Sequence, residues 1–351
     1  MGLVLPVLLS LVALCGCSRE AEQPKKESAV AQTQPAEPPV DNRVVLYTST
    51  DEPLARQIID AFTKKTNIKV EPLFDTEADK TTGLARRIRA EAAGPRADVF
   101  WSSEPFQMIQ LAEDGLLERY LPDTARNIPI AYRDARDRWV GFALRGRVLV
   151  YDPNALPPDQ RPKTWADLAQ PAFASKVVFA NPLFGTTRGH MAAMLTAWGE
   201  AEFASWVERL AAGGVANRLA AGNAQVAKAV SMGQAVLGAT DTDDVYAQQR
   251  SGAKVEMLYL DMGGGGTLLL PNTVAVLKNA PHAPFAKQLA AFLCSEQVEE
   301  MLAASDSRNV PVRPGLRARL HIELPPNTPV DYVKAAEAMP KAIEIVQETW
   351  K

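Results

Sequence analysis

The sequence predicts an α/β protein built as two doubly wound α/β lobes joined by crossing strands. Three observations predict it. From residue 43 onward, β-rich runs alternate with amphipathic helical patterns, the signature of a mainly parallel sheet with helices on its faces. The run 139–151 is long enough to leave one sheet and enter another, and 267–277 returns. No self-similarity recurs at a period of 20–50 residues, which argues against a solenoid. A length of 351 residues, at about 150 per domain, suggests two domains. With 38 Lys+Arg against 41 Asp+Glu there is no basic face to expect on nucleic acid.

The elements follow in order. Residues 43–48 read as a strand. Over 53–65, Leu54, Ile58, Ile59 and Phe62 fall on one helical face. A second strand covers 69–74. A helix over 79–93 has Leu84 and Ile88 four apart, and a third strand covers 97–101. A helix with Met108, Ile109 and Leu111 ends before Gly115. Beyond the crossing run come a Pro-rich turn, a short helix from Thr164 and a strand over 176–180. Helices near 187–198, 201–212 and 223–232 lead to a strand over 234–240. The glycines 263–266 read as a flexible loop, because no helix follows them. Helices over 283–303 and 331–350 complete the chain. Cys294 lies in the first of these beside Phe292 and Leu293, where it reads as a buried small hydrophobe.

The front of the chain is different. Residues 3–14 are apolar and uncharged, fewer than the roughly 20 that span a bilayer, and suit the core of a signal peptide. The tetrad Leu14-Cys15-Gly16-Cys17 resembles a bacterial lipobox, which would make Cys17 the lipidated first residue. Residues 18–42 are rich in Pro, Gln, Glu and Ala without an aromatic, a composition that buries too little to offset its ordering entropy. The expected organisation is therefore a signal peptide over 1–16, then the lipidated Cys and flexible tether over 17–42. A first lobe of 43–142 plus 268–315, a second of 143–267 and a helical segment over 316–351 follow.

Polar clusters stand where strands run into helices. Thr48-Ser49-Thr50-Asp51-Glu52 reads either as a helix cap with an acidic first turn or as an anion site. Ser102-Ser103-Glu104 caps a second junction, with Glu104 informative if it faces a cleft. Gly185-Thr186-Thr187 opens a third helix and makes a plausible cradle for phosphate or carbonate, although it lacks the Gly-Lys-Ser/Thr of a Walker loop. His190 beside it reads as a packing residue. Asp241, Asp243 and Asp244 repel one another unless a cation, an ammonium group or a helix N-terminus compensates. They are thus an acidic first turn or a hard-cation or amine site. Arg145 and Arg147, two apart on a strand, face the same side, either into the cleft or on an exposed edge. No Gly-x-Ser-x-Gly elbow, His-Glu-x-x-His helix or Cys/His pair occurs.

Several stretches together resemble the ferric-iron-type, class II extracellular solute-binding lipoproteins of bacterial ABC importers. They are 97–104 (ADVFWSSE), 139–151, 223–233 (NAQVAKAVSMG), 270–275 (LPNTVA) and 292–297 (FLCSEQ). The resemblance covers about residues 43–315. It implies a periplasmic-binding-protein-like fold and a receptor that captures ligand between its lobes and hands it to a permease. It is not an enzyme on this reading. The expected cargo is Fe(III) with carbonate or phosphate as synergistic anion, and no covalent cofactor is implied beyond the lipid. The anion positions carry over to Gly185, Thr186, Thr187, Asn223 and Arg145, with Thr48, Ser49 and Ser103 on the facing lobe. Metal ligands are expected among Glu104, Asp243, Asp244 and Tyr246. Where iron-binding members have adjacent tyrosines, this chain has Asp243-Asp244, so a receptor for an organic phosphate, phosphonate, thiamine or polyamine stays open beside iron. A membrane-anchored hydrolase using Asp243, Asp244 and Glu104 is the alternative from another class. The implied partners are the permease, the small ligand or metal ion, and the membrane through the lipid. The implied state is a monomer at the periplasmic face of the cell envelope.

Overall fold

A computed structural model describes residue 2, residues 42–75 and residues 81–351. The apolar run, the lipobox and Cys17 lie outside the described residues. The strands are β1 (Arg43–Thr48), β2 (Lys69–Phe74), β3 (Val99–Ser102), β4 (Val140–Tyr151), β5 (Val177–Ala180), β6 (Leu219–Ala220), β7 (Leu237–Asp241), β8 (Glu256–Leu258) and β9 (Leu269–Val276). The helices are α1 (Glu52–Thr66), α2 (Thr82–Ala90), α3 (Phe106–Glu113), α4 (Pro171–Ala174), α5 (Gly185–Trp198), α6 (Glu200–Ala212), α7 (Asn223–Ser231), α8 (Thr242–Arg250), α9 (Ala283–Leu293), α10 (Glu296–Ala304), α11 (Pro314–Leu320) and α12 (Tyr332–Thr349).

The strand order is β2-β1-β3-β9-β4-β7-β5-β6, with β8 on β4. Two parallel groups, β2-β1-β3 and β7-β5-β6, flank the antiparallel pair β9 and β4. β4 joins the halves: residues 140–146 pair with β9, while 147–151 pair with β7. A bulge interrupts it between Phe142 and Leu144, with Ala143 at φ +46°. Glu299 supports that kink, taking the N–H of Ala143 at 2.9 Å and that of Val312 at 2.7 Å. Its other oxygen pairs with Arg313 at 2.6 Å, in full burial.

Period-two alternation explains why helices cover both faces. Val44 and Leu46 of β1 join Ile58 and Phe62 of α1 and Leu289 of α9 on one side. Tyr47, one residue on, joins Leu84 of α2 and Leu111 of α3 on the other. The second half repeats this. Phe179 of β5 packs with Met191 of α5 and Trp206 of α6, whereas Val178 meets Val226 of α7 and Val245 of α8. Gly238 of β7 permits the approach of α7, since a Cβ there would overlap Val226.

Two expectations need correction. The helix expected over 283–303 is two helices, because Ser295 caps α10 by accepting the Val298 N–H at 3.3 Å. The glycines 263–266 are held rather than loose: all four N–H groups converge on Asp261 Oδ1 at 2.8–3.1 Å. The terminal helix α12 packs against both halves. It lies along α5 and also meets α3, where Phe106 and Tyr332 stack edge-on at 6.1 Å. Pro340 removes one helical N–H, which frees the carbonyl of Ala336, and Gln110 Nε2 of α3 donates to it at 3.4 Å. Cys294 is fully buried, donates to the Ala290 carbonyl, and burial pushes its thiol up to about 11.

Candidate functional site

The carboxyl ends of β1, β3, β5 and β7 open on one cleft of about 450 Å³. Open α/β sheets bind ligands at such strand ends. Its lining combines Asp51 and Ser103 of the first half, Arg145 of β4, and the starts of α5, α7 and α8. A smaller recess of about 260 Å³, floored by Ser49, Asn272 and Asn309, also borders Ser103, Arg145 and Asp243.

The first half stitches its own loops together. Ser49 Oγ accepts the Ser103 N–H at 2.9 Å and lies 3.2 Å from Ser103 Oγ. Thr48 is buried, with its hydroxyl accepting the Thr50 N–H at 3.1 Å, and it does not line the cleft. Nor does Glu104. The residue before α3 is Pro105, which offers no capping oxygen, so the Glu104 carboxylate takes the N–H groups of Phe106 and Gln107 at 2.6 and 3.1 Å. Burial pushes it up to about 7, while those two bonds pull the other way.

The second half supplies helix starts. Gly185, at φ +56°, takes the left-handed turn that opens α5. Neither α5 nor α7 has a side-chain cap, so their first N–H groups lack an intrahelical acceptor and present positive potential to the cleft. Asn223 clips the two starts together. Its Nδ2 donates to Thr186 Oγ1 at 2.5 Å, and its Oδ1 accepts from Thr187 at 3.0 Å. The hydroxyl of Thr186 donates inward to Asp241 at 2.6 Å. These threonines therefore contribute backbone to the cleft and commit their hydroxyls to the floor beneath it.

That floor centres on Arg147, which sequence reasoning left undecided. It is completely buried and pairs with Asp241 at 2.8 Å. Burial alone would raise Asp241, but Arg147 and Arg145 outweigh it and hold the carboxyl low. His190 lies alongside. Its Nδ1 accepts from Arg147 Nε at 3.4 Å, its ring meets Trp165 edge-on, and burial plus Arg147 push its pKa well down, so it is neutral. The strand register places Arg147 opposite Asp241, a pairing 94 residues apart that no local motif announces.

The acidic cluster divides into roles. Asp241 and Asp244 form a capping box for α8, and Asp244 also accepts from Thr240 at 2.8 Å. Asp243 Oδ2 pairs with Arg145 at 2.9 Å, and Arg145 Nη2 reaches across to the Ser103 carbonyl at 2.7 Å. Asp243 Oδ1 is buried without a hydrogen-bond partner. Burial raises its carboxyl, with Arg145 opposing. One oxygen from each of the three aspartates fits within 4.8 Å of the others, a hard-donor set able to take a trivalent or divalent cation. Tyr246 does not line the cleft; it stacks under Arg308 at 4.8 Å and bonds Tyr259. Asp51, from the facing half, does line it; sequence reasoning had weighed it only within a cluster read as a helix cap or an anion site.

Residues 43–305 match the family described as bacterial extracellular solute-binding protein. The chain belongs to that family. Among curated relatives of this solute-binding protein, the Fe(3+)-binding periplasmic protein of Serratia marcescens is 26% identical over 88% of this chain and 89% of its own. The major ferric iron-binding protein of Neisseria meningitidis serogroup A is 27% identical over 80% and 84%. Among solved structures, iron-bound HitA from Pseudomonas aeruginosa superposes with a TM-score of 0.75 at 26% identity, covering 86% of this chain and 99% of that one. The solute-binding protein thus has the two-lobed α/β architecture of its neighbours, and its cleft lies where β4 passes between the lobes.

Proposed function

We propose that this solute-binding protein is the lipid-anchored periplasmic receptor of an ABC importer, carrying ferric ion together with a small oxyanion. In this reading the lobes are 43–142 plus 268–315 and 143–267, and the anchor is Cys17. The observation that carries the proposal is the pairing, within one cleft, of hard carboxylate donors with two uncapped helix starts. The aspartates suit the metal, the N–H groups of α5 and α7 suit the anion, and each bound charge lowers the cost of the other. The ferric-binding relatives support the same cargo. Asp243, with one oxygen unpartnered, is the proposed first ligand, and Asp51 faces it from the other lobe. Closure removes the pair from water, so affinity depends on the closing equilibrium as well as on contacts.

A second reading, an organic phosphate or phosphonate receptor, is favoured by one specific observation. Asp241, Asp243 and Asp244 are already engaged by Arg147, Arg145 and the α8 cap, which leaves the helix starts as the less encumbered part of the cleft. Thermal unfolding of ligand-stripped protein separates the two. A ligand at a hundred times its Kd adds about 2.7 kcal/mol. A Tm rise that requires ferric ion with phosphate or bicarbonate, and that disappears in Asp243→Asn, supports iron. A rise with an organic phosphate alone replaces iron while keeping the receptor. For the anchor, Cys17→Ser is expected to move the protein from the membrane fraction to the soluble fraction.

A further inference from the structure

We infer that the recess beside the cleft is a hydroxyl subsite, so that the anion carried is an organic phosphate with hydroxyl groups on its carbon chain. The recess, of about 260 Å³, shares Ser103, Arg145 and Asp243 with the cleft, so one ligand reaches both.

Four of the residues lining the recess each hold one buried polar atom without a hydrogen-bond partner among the described residues. They are Thr50 Oγ1, Arg145 Nε, Asp243 Oδ1 and Asn309 Nδ2. Nine such atoms occur among the described residues, so nearly half of them gather at this one recess, whereas the large majority of buried polar groups are bonded. Thr50, Arg145 and Asn309 are only 7%, 8% and 3% exposed. The rest of these side chains is anchored. Arg145 commits Nη1 to Asp243 Oδ2 at 2.9 Å and Nη2 to the Ser103 carbonyl at 2.7 Å. Asn309 Oδ1 accepts from the Ser307 hydroxyl at 3.3 Å. Neighbouring Asn272 is satisfied at both ends, by Trp101 Nε1 at 3.3 Å and the Ala143 carbonyl at 2.8 Å. The four unpartnered atoms are therefore held in place.

Their chemistry selects the occupant. Arg145 Nε and Asn309 Nδ2 are donors, Asp243 Oδ1 is an acceptor, and the Thr50 hydroxyl serves as either. An alcohol oxygen accepts two hydrogen bonds and donates one, which answers this set. A carboxylate would bring like charge against Asp243, an ammonium group like charge against Arg145, and an alkyl group would leave all four atoms unanswered. The phosphate group belongs at the uncapped starts of α5 and α7, and the recess takes the hydroxylated part of the chain. With ferric ion on Asp243, the same hydroxyl donates to Thr50 instead. The inference thus rests on the oxyanion-receptor reading above and not on the metal.

Isothermal titration of ligand-stripped, full-length protein tests it, first without metal and then with equimolar ferric ion. The probes are glycerol 3-phosphate and sorbitol 6-phosphate, each beside the alkyl phosphate of equal chain length, propyl or hexyl, with inorganic phosphate as the reference. At least one polyol phosphate is expected to bind about tenfold or more tightly than its alkyl counterpart, because the alkyl chain leaves buried polar groups unpaired. Thr50→Val and Asn309→Leu are each expected to remove most of that preference. Thr50→Val takes away a hydroxyl that has no partner, so the Tm of its ligand-free form is expected to be no lower than that of wild type. Equal affinity for polyol and alkyl phosphates would leave the recess to solvent and overturn the inference while sparing the receptor. A preference that persists in both variants would overturn it as well, as would a lower Tm for ligand-free Thr50→Val. Binding of no phosphate at all, with or without ferric ion, would remove the oxyanion-receptor reading along with it.

Discussion

Replacing Asp241 by Ala isolates the polar floor under the cleft. The substitution removes the carboxylate facing Arg147, whose side chain is completely buried, and takes acceptors from Thr186 and Asn223. Breaking one side of such a pair costs about 3–5 kcal/mol, because the remaining charge stays buried. Unfolding entropy for a body of about 300 residues is roughly 0.6 kcal/mol/K. The expected loss is therefore about 5–8 °C in Tm, read by scanning calorimetry at neutral pH. Because the native carboxyl is held low, the wild-type advantage is full above about pH 4 and shrinks as pH falls below it. The double variant Asp241→Leu with Arg147→Met should recover most of the loss, since an apolar pair of similar volume carries no stranded charge. A drop under about 1.5 °C for Asp241→Ala, equivalent to about 1 kcal/mol, would refute the account of this pair.

Three further outcomes follow from the structure. Glu104 keeps its proton up to about pH 7 in the folded protein, whereas an unfolded glutamate loses it near pH 4.3, so stability falls as pH rises between these values. Glu104→Gln should remove a pH-dependent difference on the order of 3 kcal/mol, seen by comparing chemical unfolding of the two proteins across pH 4.5–7.5. Asp261→Ala leaves four glycine N–H groups without their acceptor. It is expected to cost about 1–2 kcal/mol and to accelerate hydrogen exchange at 263–266. A Cβ at Gly189 would overlap the Phe106 ring across the two halves. Gly189→Ala should therefore weaken ligand binding with no change to any cleft residue, and small-angle scattering should record a more open particle.

Much of the architecture was readable because burial imposes a period. The alternation of β1 and the one-sided helix of α1 each specify a face, and the 139–151 run has the length of a strand serving two sheets. Local chemistry also placed Gly185, Thr186, Thr187 and Asn223 at helix starts, and these starts share the cleft with Ser103, Arg145, Asp243 and Asp244. What eluded the sequence depends on partners distant along the chain. Asp241 becomes a counter-ion only because β4 and β7 run antiparallel in one particular register. Glu104 turned inward because Pro105 supplies no cap, a local clue that outranked its proximity to the cleft. The break at Ser295 was also local, since a serine before Glu296 is a cap signal. The continuous apolar pattern masked it.

The placement of α12 couples the end of the chain to ligand affinity. Lying along α5 and meeting α3 through Gln110 and Phe106, the helix adds its contacts to the free-energy difference between the receptor's open and closed populations. Observed affinity scales with the fraction able to bind, and every 1.4 kcal/mol in that difference is about tenfold. Substitutions along α12 are thus expected to shift the concentration at which the receptor fills, from a helix that begins at Tyr332, well beyond the cleft aspartates Asp241, Asp243 and Asp244 in sequence.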